Sequence, residues 1–311
     1  MADSKLTALT ETSVIDVADY LYTTDTSDTT DDSAGSSRKI SITRLGGYLD
    51  VNTCNGRLTT ESGVGISTSD RTSQSTIYFT PYNGNRISLY DGTRWKLYSF
   101  TERSLALSSL ISSKNYDVFL YDNSGTLTLE LSTAWTNDTT RNDALTTQDG
   151  ILVKSGATTR RYLGTVRTTS TTTTEDSLTN RYIWNLFNQA KRPMYYTDST
   201  DHTYSTNAWR EWNNTSGTNQ VNWVCGAASG VMVSFNYLMV VSSGGDFIFG
   251  IALNSTDPGL PSVRNQTVAW RTGAAADGIG VVGYNYLRAC EFGLAGGGTA
   301  DFFLLSGFIM G

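Results

Sequence analysis

The pairs Asn83-Gly84 and Asp91-Gly92, each set between runs of alternating apolar and polar residues, restrict the fold of this chain more than any other feature. Both central residues of a type I′ turn need φ above zero, and Asn-Gly or Asp-Gly meets that need at low steric cost. The spacing predicts three antiparallel strands over residues 76–82, 86–90 and 93–98. Composition points to the same class: Thr, Ser and Asn are abundant, 11% of residues are aromatic, 29 are Gly, four are Pro and only 17% are charged. β-Branched and aromatic side chains fit a pleated, half-buried surface, while Gly and Asn supply the turns. The expectation is an all-β chain with an N-terminal extended arm or hairpin, a small antiparallel β module and a C-terminal jelly-roll-like β-sandwich.

At 311 residues there is room for two or three domains, each with its own core. Residues 1–50 read as a docking segment, 51–75 as an extended linker poor in apolar residues, 76–167 as the β module and 168–311 as the sandwich head. Within the module, residues 99–112 fit either a short helical turn or an irregular apolar crossover, and both stay open. Residues 116–121 and 126–131 flank the turn Asp122-Asn-Ser-Gly125 and form a hairpin with Leu127, Leu129 and Leu131 on its apolar face; residues 151–154 and 161–167 extend the sheet. Seven consecutive Ser/Thr residues, 168–174, mark a polar boundary, and 175–188 reads as one helical turn entering a strand.

About eight short strands follow, from residue 192 to residue 310, at the spacing of a sandwich or jelly roll. Two of them, 231–241 and 302–310, are nearly continuous apolar runs, which implies cover on both faces. For the last strand the second cover is either a neighbouring copy, with Phe302, Phe303 and Phe308 at a subunit interface, or this chain's own core; both stay open.

The formal charge of −6 argues against a phosphate-backbone binder and an anionic membrane surface. The N-terminus lacks the apolar stretch of a secretory signal and no run of about eighteen apolar residues occurs, so synthesis as a soluble cytosolic chain without membrane insertion is expected. Cys54, Cys225 and Cys290 show no metal or disulfide spacing and read as buried free thiols.

Catalytic signals are weak. His202, the one histidine, lies among turn residues with no nucleophile motif and reads as a surface-loop residue. The carboxylate groupings Glu175-Asp176, Asp198 with Asp201, and Asp31-Asp32 sit in Thr/Ser loops and read as solvated turn residues. No calcium loop with a closing Glu occurs and no repeat of a glycan-cleaving β-helix is visible, so no enzyme activity, metal or cofactor is expected. Trp209, Trp212 and Trp223 lie close in sequence to Tyr195, Tyr196 and Tyr204 and could offer stacking faces to a host glycan, although aromatics alternating in strands more often belong to a core.

The docking segment opens Leu6-Thr-Ala-Leu9-Thr10, and its Tyr20/Tyr22 and Ile40/Ile42 alternations flank an acidic Thr/Ser loop before Leu45-Gly-Gly-Tyr48-Leu49. An isolated hairpin of this kind is marginal in water and must dock on something. The order of these motifs resembles the N-terminal segment of tailed-bacteriophage virion proteins. The blocks 76–100, 116–126, 134–141, 148–156 and 159–165 are similar to a module that recurs in tail-fibre proteins of such phages. The resemblance implies a virion structural protein made in the host cytoplasm. It would be a homotrimeric fibre, anchored to other virion proteins, tail or capsid, through Leu6, Leu9, Tyr20, Tyr22, Ile40, Ile42, Leu45 and Tyr48. Its β heads would bind a host surface glycan or protein. A capsid decoration or head-fibre protein docking on the shell is the alternative, and a glycan-degrading tail protein a second one.

Overall fold

A computed structural model describes residues 20–30, 33–41, 52–227, 232–243, 247–258, 263–265, 269–279, 281–294 and 298–311. The chain is all-β. Strands β1 (Tyr20–Asp25) and β2 (Ser36–Ser41) form a separate antiparallel ribbon with Leu21 opposite Ile40 and Tyr22 opposite Lys39. Its turn is built by carboxylates: Asp25 Oδ1 accepts from the Ser27 amide at 3.0 Å, and Asp28 Oδ1 from the Thr30 amide at 3.0 Å.

The next segment contains β3 (Gly56–Thr59), β4 (Arg71–Gln74), β5 (Thr76–Pro81), β6 (Arg86–Tyr90), β7 (Trp95–Ser99) and β8 (Arg103–Ala106). It continues with β9 (Asn115–Asn123), β10 (Thr126–Leu131), β11 (Leu145–Gln148), β12 (Ile151–Lys154) and β13 (Ala157–Arg167). The hairpins β6-β7 and β9-β10 form where the turn residues place them, and Ser124 and Gly125 take φ of 52° and 93°. Strand β13 is central in the order β10-β9-β13-β12-β11.

Two expectations are corrected here, for one reason. The supposed linker is not extended in solvent, because β3 pairs with β5 and all four of its residues are buried. Strands β5 and β6 in turn belong to different sheets, since β5 lies between β3 and β8. Asn83 and Gly84 do take positive φ, 58° and 119°, yet the chain they turn is held by Asn55 rather than by a partner strand. The Asn55 amide donates to Arg86 O, its carbonyl accepts from Tyr82 N, and its side chain donates to Asn83 O at 2.9 Å. Residues 55–59, whose one long apolar side chain is Leu58, thus separate two strands that sequence places side by side. Residues 99–112 resolve into β8 and turns, with Leu107 buried against Ile77, Phe79 and Leu89. Phe79 stacks on Phe100 at 4.9 Å.

The stretch expected to start with a helical turn is instead β14 (Thr174–Asp176), β15 (Asn180–Arg181) and β16 (Ile183–Asn185). Strand β16 joins β13, while β14 joins β4, so pairing crosses the Ser/Thr run in both directions. The remainder comprises β17 (Lys191–Asp198), β18 (His202–Tyr204), β19 (Trp209–Glu211), β20 (Gln220–Cys225) and β21 (Met232–Ser243). After these come β22 (Phe247–Leu253), β23 (Val263–Asn265), β24 (Ala269–Ile279), β25 (Gly283–Gly293) and β26 (Gly298–Met310).

One sheet runs β17-β26-β21-β24 and the other, which continues past β20 through β15, β14 and β4, runs β20-β25-β22-β23. With these eight strands counted first to eighth along the chain, the orders are 1-8-3-6 and 2-7-4-5, the winding of a jelly roll. Between the sheets Val221, Trp223, Phe249, Ile251 and Leu287 meet Met194, Phe303, Leu305 and Ile309, all at most 1% exposed. Full burial of each such side chain contributes about 1.5–3 kcal/mol.

A loop from Thr133 to Asp143 straps the module to the jelly roll. The Asp138 carbonyl accepts from Asn115 Nδ2 and from the Tyr284 amide, both at 2.9 Å. Arg141 reaches from the buried Asp117 carboxylate, at 2.6 Å, to the carbonyl of Gly226. Arg57, 2% exposed, makes a second tie by donating to Gly311 O at 2.8 Å and to Asn188 O.

Candidate interaction surfaces

In the ribbon, strand alternation puts Tyr20 and Tyr22 on one face and Leu21 on the other with Ile40. Tyr20 and Tyr22 are 57% and 69% exposed, so they find no cover within the described chain. The Lys39 ammonium lies 4.1 Å from the Tyr20 ring, and Tyr22 Oη bonds Ser37 Oγ at 2.7 Å, so each tyrosine leans on the β2 residue two places nearer the turn than its cross-strand partner. Leu6, Leu9, Ile42, Leu45 and Tyr48 lie outside the described residues.

The last strand settles how its apolar run is used. It is central in its sheet, and Ala300, Phe303, Leu305 and Ile309 point into the core. Phe303 is therefore a core residue at 0% exposure and cannot be reached by another copy, a correction to its expected place at an interface. Phe302, Leu304, Phe308 and Met310, which alternate with these, are half-exposed on the outer face. Register brings Pro193 of β17 opposite Phe308, and Leu238 and Val240 of β21 opposite Leu304 and Phe302. Tyr195, 41% exposed, continues the band, and Lys191 Nζ covers Phe308 at 3.9 Å. An antiparallel sheet that faces water on one side normally carries polar residues there; on β26 this face carries Phe302, Leu304, Phe308 and Met310, interrupted by Ser306 opposite Tyr195.

The tryptophan cluster is not a glycan platform. Trp212 and Trp223 are 0% exposed, and Trp209 is half-buried, edge-on to Phe292 at 5.4 Å. Trp223 sits opposite Asn285 on the inward face of β20, and Trp212 packs on Phe249, Phe303 and His202. Three indoles within fifteen residues looked like a surface because the sequence does not show which strand face is inside.

Two ionisable groups also depart from their expected places. Asp176, read as a turn carboxylate, is 6% exposed and takes one guanidinium on each oxygen, Arg181 at 2.9 Å and Arg192 at 2.8 Å. His202 is on β18 rather than in a surface loop, with Nε2 2.7 Å from Glu291 Oε2. Asp198 does cap its own turn, accepting from Thr200 N at 3.0 Å, and Asp31 and Asp32 lie outside the described residues. Sequence reasoning missed Asp117, Arg141 and Glu291, because nothing local marks which of many scattered charges will be buried. Asp117 is held by Arg141 and by Thr165 Oγ1 at 2.7 Å, while burial pushes its carboxyl above the ordinary range. These groups are locked in closed ion-pair networks, and among the described residues no group of three or more His, Cys, Asp or Glu is arranged to hold a metal.

The three thiols are buried and unpaired, and burial raises Cys54 and Cys225 to about 11 and Cys290 to about 12. A small thiol reagent at about pH 8 is expected to label none of them in the folded protein and all after denaturation, since the thiolate is the nucleophile. Rapid labelling of the native chain contradicts the packing around them.

No family model matches the chain, and no curated protein matches it. Among solved structures, the insecticidal δ-endotoxin Cry8Ea1 of Bacillus thuringiensis aligns at a TM-score of 0.25 and 8% identity, over 83% of this chain and 52% of that one. A glycoside hydrolase family 43 arabinoxylan arabinofuranohydrolase of Bacillus subtilis aligns at 0.23 and 12% identity, over 86% and 55%. The Gx strain structure of infectious bursal disease virus aligns at 0.22 and 13%, over 83% and 70%. The chain spans about half the length of the toxin and the hydrolase. At such scores these likenesses carry no argument about this protein. What the strand order defines is an all-β protein with a jelly-roll head.

Proposed function

We propose that the chain is a virion structural protein of the capsid-decoration or head-fibre kind, which docks on a shell through its N-terminal segment and associates with copies of itself, as a trimer, through the outer face of the β17-β26-β21-β24 sheet. The observation that carries this is the apolar band of Phe302, Leu304, Phe308, Pro193 and Tyr195 on a sheet face that the described chain leaves open. A contiguous exposed apolar patch rimmed by polar groups marks an interaction site. The ribbon supports the docking half: it pairs with no other strand of the described chain and displays two tyrosines. A host-binding fibre is the second reading. The outer face of the other sheet favours it, because the half-exposed rings of Tyr284 and Tyr286 stand there 6.0 Å apart, with the Arg288 guanidinium over Tyr286 at 4.2 Å.

Particles lacking the protein distinguish these. Purified chain added back is expected to decorate the shell in electron micrographs, and chain lacking residues 1–50 to remain in solution while keeping its oligomeric mass. Decoration by the truncated chain removes the docking role of the ribbon. Density at the tail tip, or binding of the truncated chain to host cells, favours the fibre.

A further inference from the structure

His202 is the one histidine in the chain, and both of its ring nitrogens face acceptors. Nδ1 is 3.1 Å from the Thr200 carbonyl and Nε2 is 2.7 Å from the Glu291 carboxylate. A neutral imidazole has one N–H and satisfies only one of these; an imidazolium satisfies both. Glu291 is 0% exposed and spreads its charge over three donors, since Oε1 also accepts from Arg210 Nε at 2.7 Å and from the Asn213 amide at 3.2 Å. The edge of Trp212 closes the ring's other side at 4.8 Å between centroids.

The position of this cluster gives it a consequence. His202 belongs to β18, which hangs on the edge of one jelly-roll sheet by three residue pairs with β26. Glu291 belongs to β25 of the opposite sheet, and Arg210 to β19, which pairs with β25. The charged pair is therefore a tie between the two sheets at one end of the sandwich. We propose that His202, Glu291 and Arg210 form a proton-operated clamp that fastens the edge segment 199–206 to the opposite sheet when His202 is charged and loosens it when the proton leaves. With the proton gone, the carboxylate keeps Arg210 and Asn213, so the sandwich stays closed; the one remaining imidazole N–H serves either Glu291 or the Thr200 carbonyl but not both, so the edge segment loses the charge and one hydrogen bond of its tie.

The charged groups facing the ring are Glu291 from β25 and Arg210 from β19. Burial and Arg210 oppose a second cation, but the Glu291 hydrogen bond and charge outweigh them and hold the ring above its ordinary 6.5. A group whose pKa is raised by folding stabilises the fold fully below its unfolded value, and that contribution is lost as pH rises through the folded value. The clamp is thus closed in acid and opens on the alkaline side of 6.5.

Labelling with ¹³C-histidine gives a single imidazole resonance in the intact protein. Its midpoint is expected above the ordinary 6.5, and a midpoint at or below that value overturns the proposal. Hydrogen exchange of residues 202–204, corrected for the intrinsic pH dependence, is expected to speed up several-fold between about pH 6 and about pH 9. In His202→Gln, which keeps one donor toward Glu291 and does not titrate, that acceleration is expected to vanish; its persistence in the variant, or its absence in the unchanged chain, also overturns the clamp. Should the variant fail to fold, Glu291→Gln and the titration of the unchanged chain give the same decision, because loss of the carboxylate must lower the imidazole midpoint.

Discussion

The double variant Leu304→Asp/Phe308→Asp is expected to scatter light as a monomer of 33.9 kDa at concentrations where the unchanged chain scatters with three times that mass. Both positions alternate with core residues of β26 and point away from the core, so the substitutions leave Phe303, Leu305 and Ile309 in place and the fold intact. What they change is the outer face. Strands of 8, 13, 12 and 11 residues, at about 3.4 Å per residue and about 4.8 Å apart, give a face of roughly 700 Å². That is the share each partner contributes to a standard stable interface. Each carboxylate buried there without a partner costs several kcal/mol, and every ~1.4 kcal/mol is tenfold in Kd, so two weaken association by at least about a thousandfold. A monomeric mass for the unchanged chain at micromolar concentration sinks the self-association half of the proposed function. Retained assembly of the double variant moves the interface elsewhere.

Gly283→Ala is expected to destabilise the protein by about 3–5 kcal/mol in urea unfolding. Gly283 has φ of +111°, which L side chains rarely adopt, and a Cβ there comes to 2.0 Å from the Asp138 carbonyl oxygen and 2.8 Å from Thr139 Cα. Neither neighbour can give way cheaply. Asp138 O already accepts two hydrogen bonds, from Asn115 and Tyr284, and Asn137 Oδ1 fixes the loop by accepting from Thr139 N and Thr140 N at 2.9 and 2.8 Å. Moving the strap also drags Arg141 from Asp117. Gly217 is the control: its φ is +74°, but nothing lies within 4 Å of the added Cβ, so Gly217→Ala pays only the backbone cost of roughly 1–2 kcal/mol. Equal losses for the two variants refute the close approach of the strap to β25.

Several elements were legible in the sequence because the signal is local. The turns Asp91-Gly92 and Asp122-Asn-Ser-Gly125 each join neighbours in one sheet, and the Leu127/Leu129 alternation reports the buried face of β10. Asn83-Gly84 has the same signature and takes the same backbone conformation, yet it joins strands of different sheets. The difference is made by Asn55, nearly thirty residues away, and no local pattern contains it. The candidate sites were legible only in part. Phe302 and Phe308 do lie on an outer face, whereas Phe303 and Trp223 went to the core, because adjacent residues of a strand face opposite ways and sequence does not say which way is inside; Trp212 is buried from the 3-10 turn Trp212–Asn214 that follows β19. The His202 cluster was invisible: its partner Glu291 is 89 residues distant and arrives on the opposite sheet.

The sequence by itself determined the class: Gly, Asn and Asp at turns, Thr and aromatics between them, and a period of two leave little besides short antiparallel strands. It also marked 302–310 as a strand that needs cover on both faces. The tertiary structure decided which strands meet, which face of each is inside, and that the second face of the last strand remains open in the described chain. The physical reason is that a period of two fixes only that alternate residues share a face. Register, sheet order and the fate of each buried charge depend on partners brought in from far along the chain.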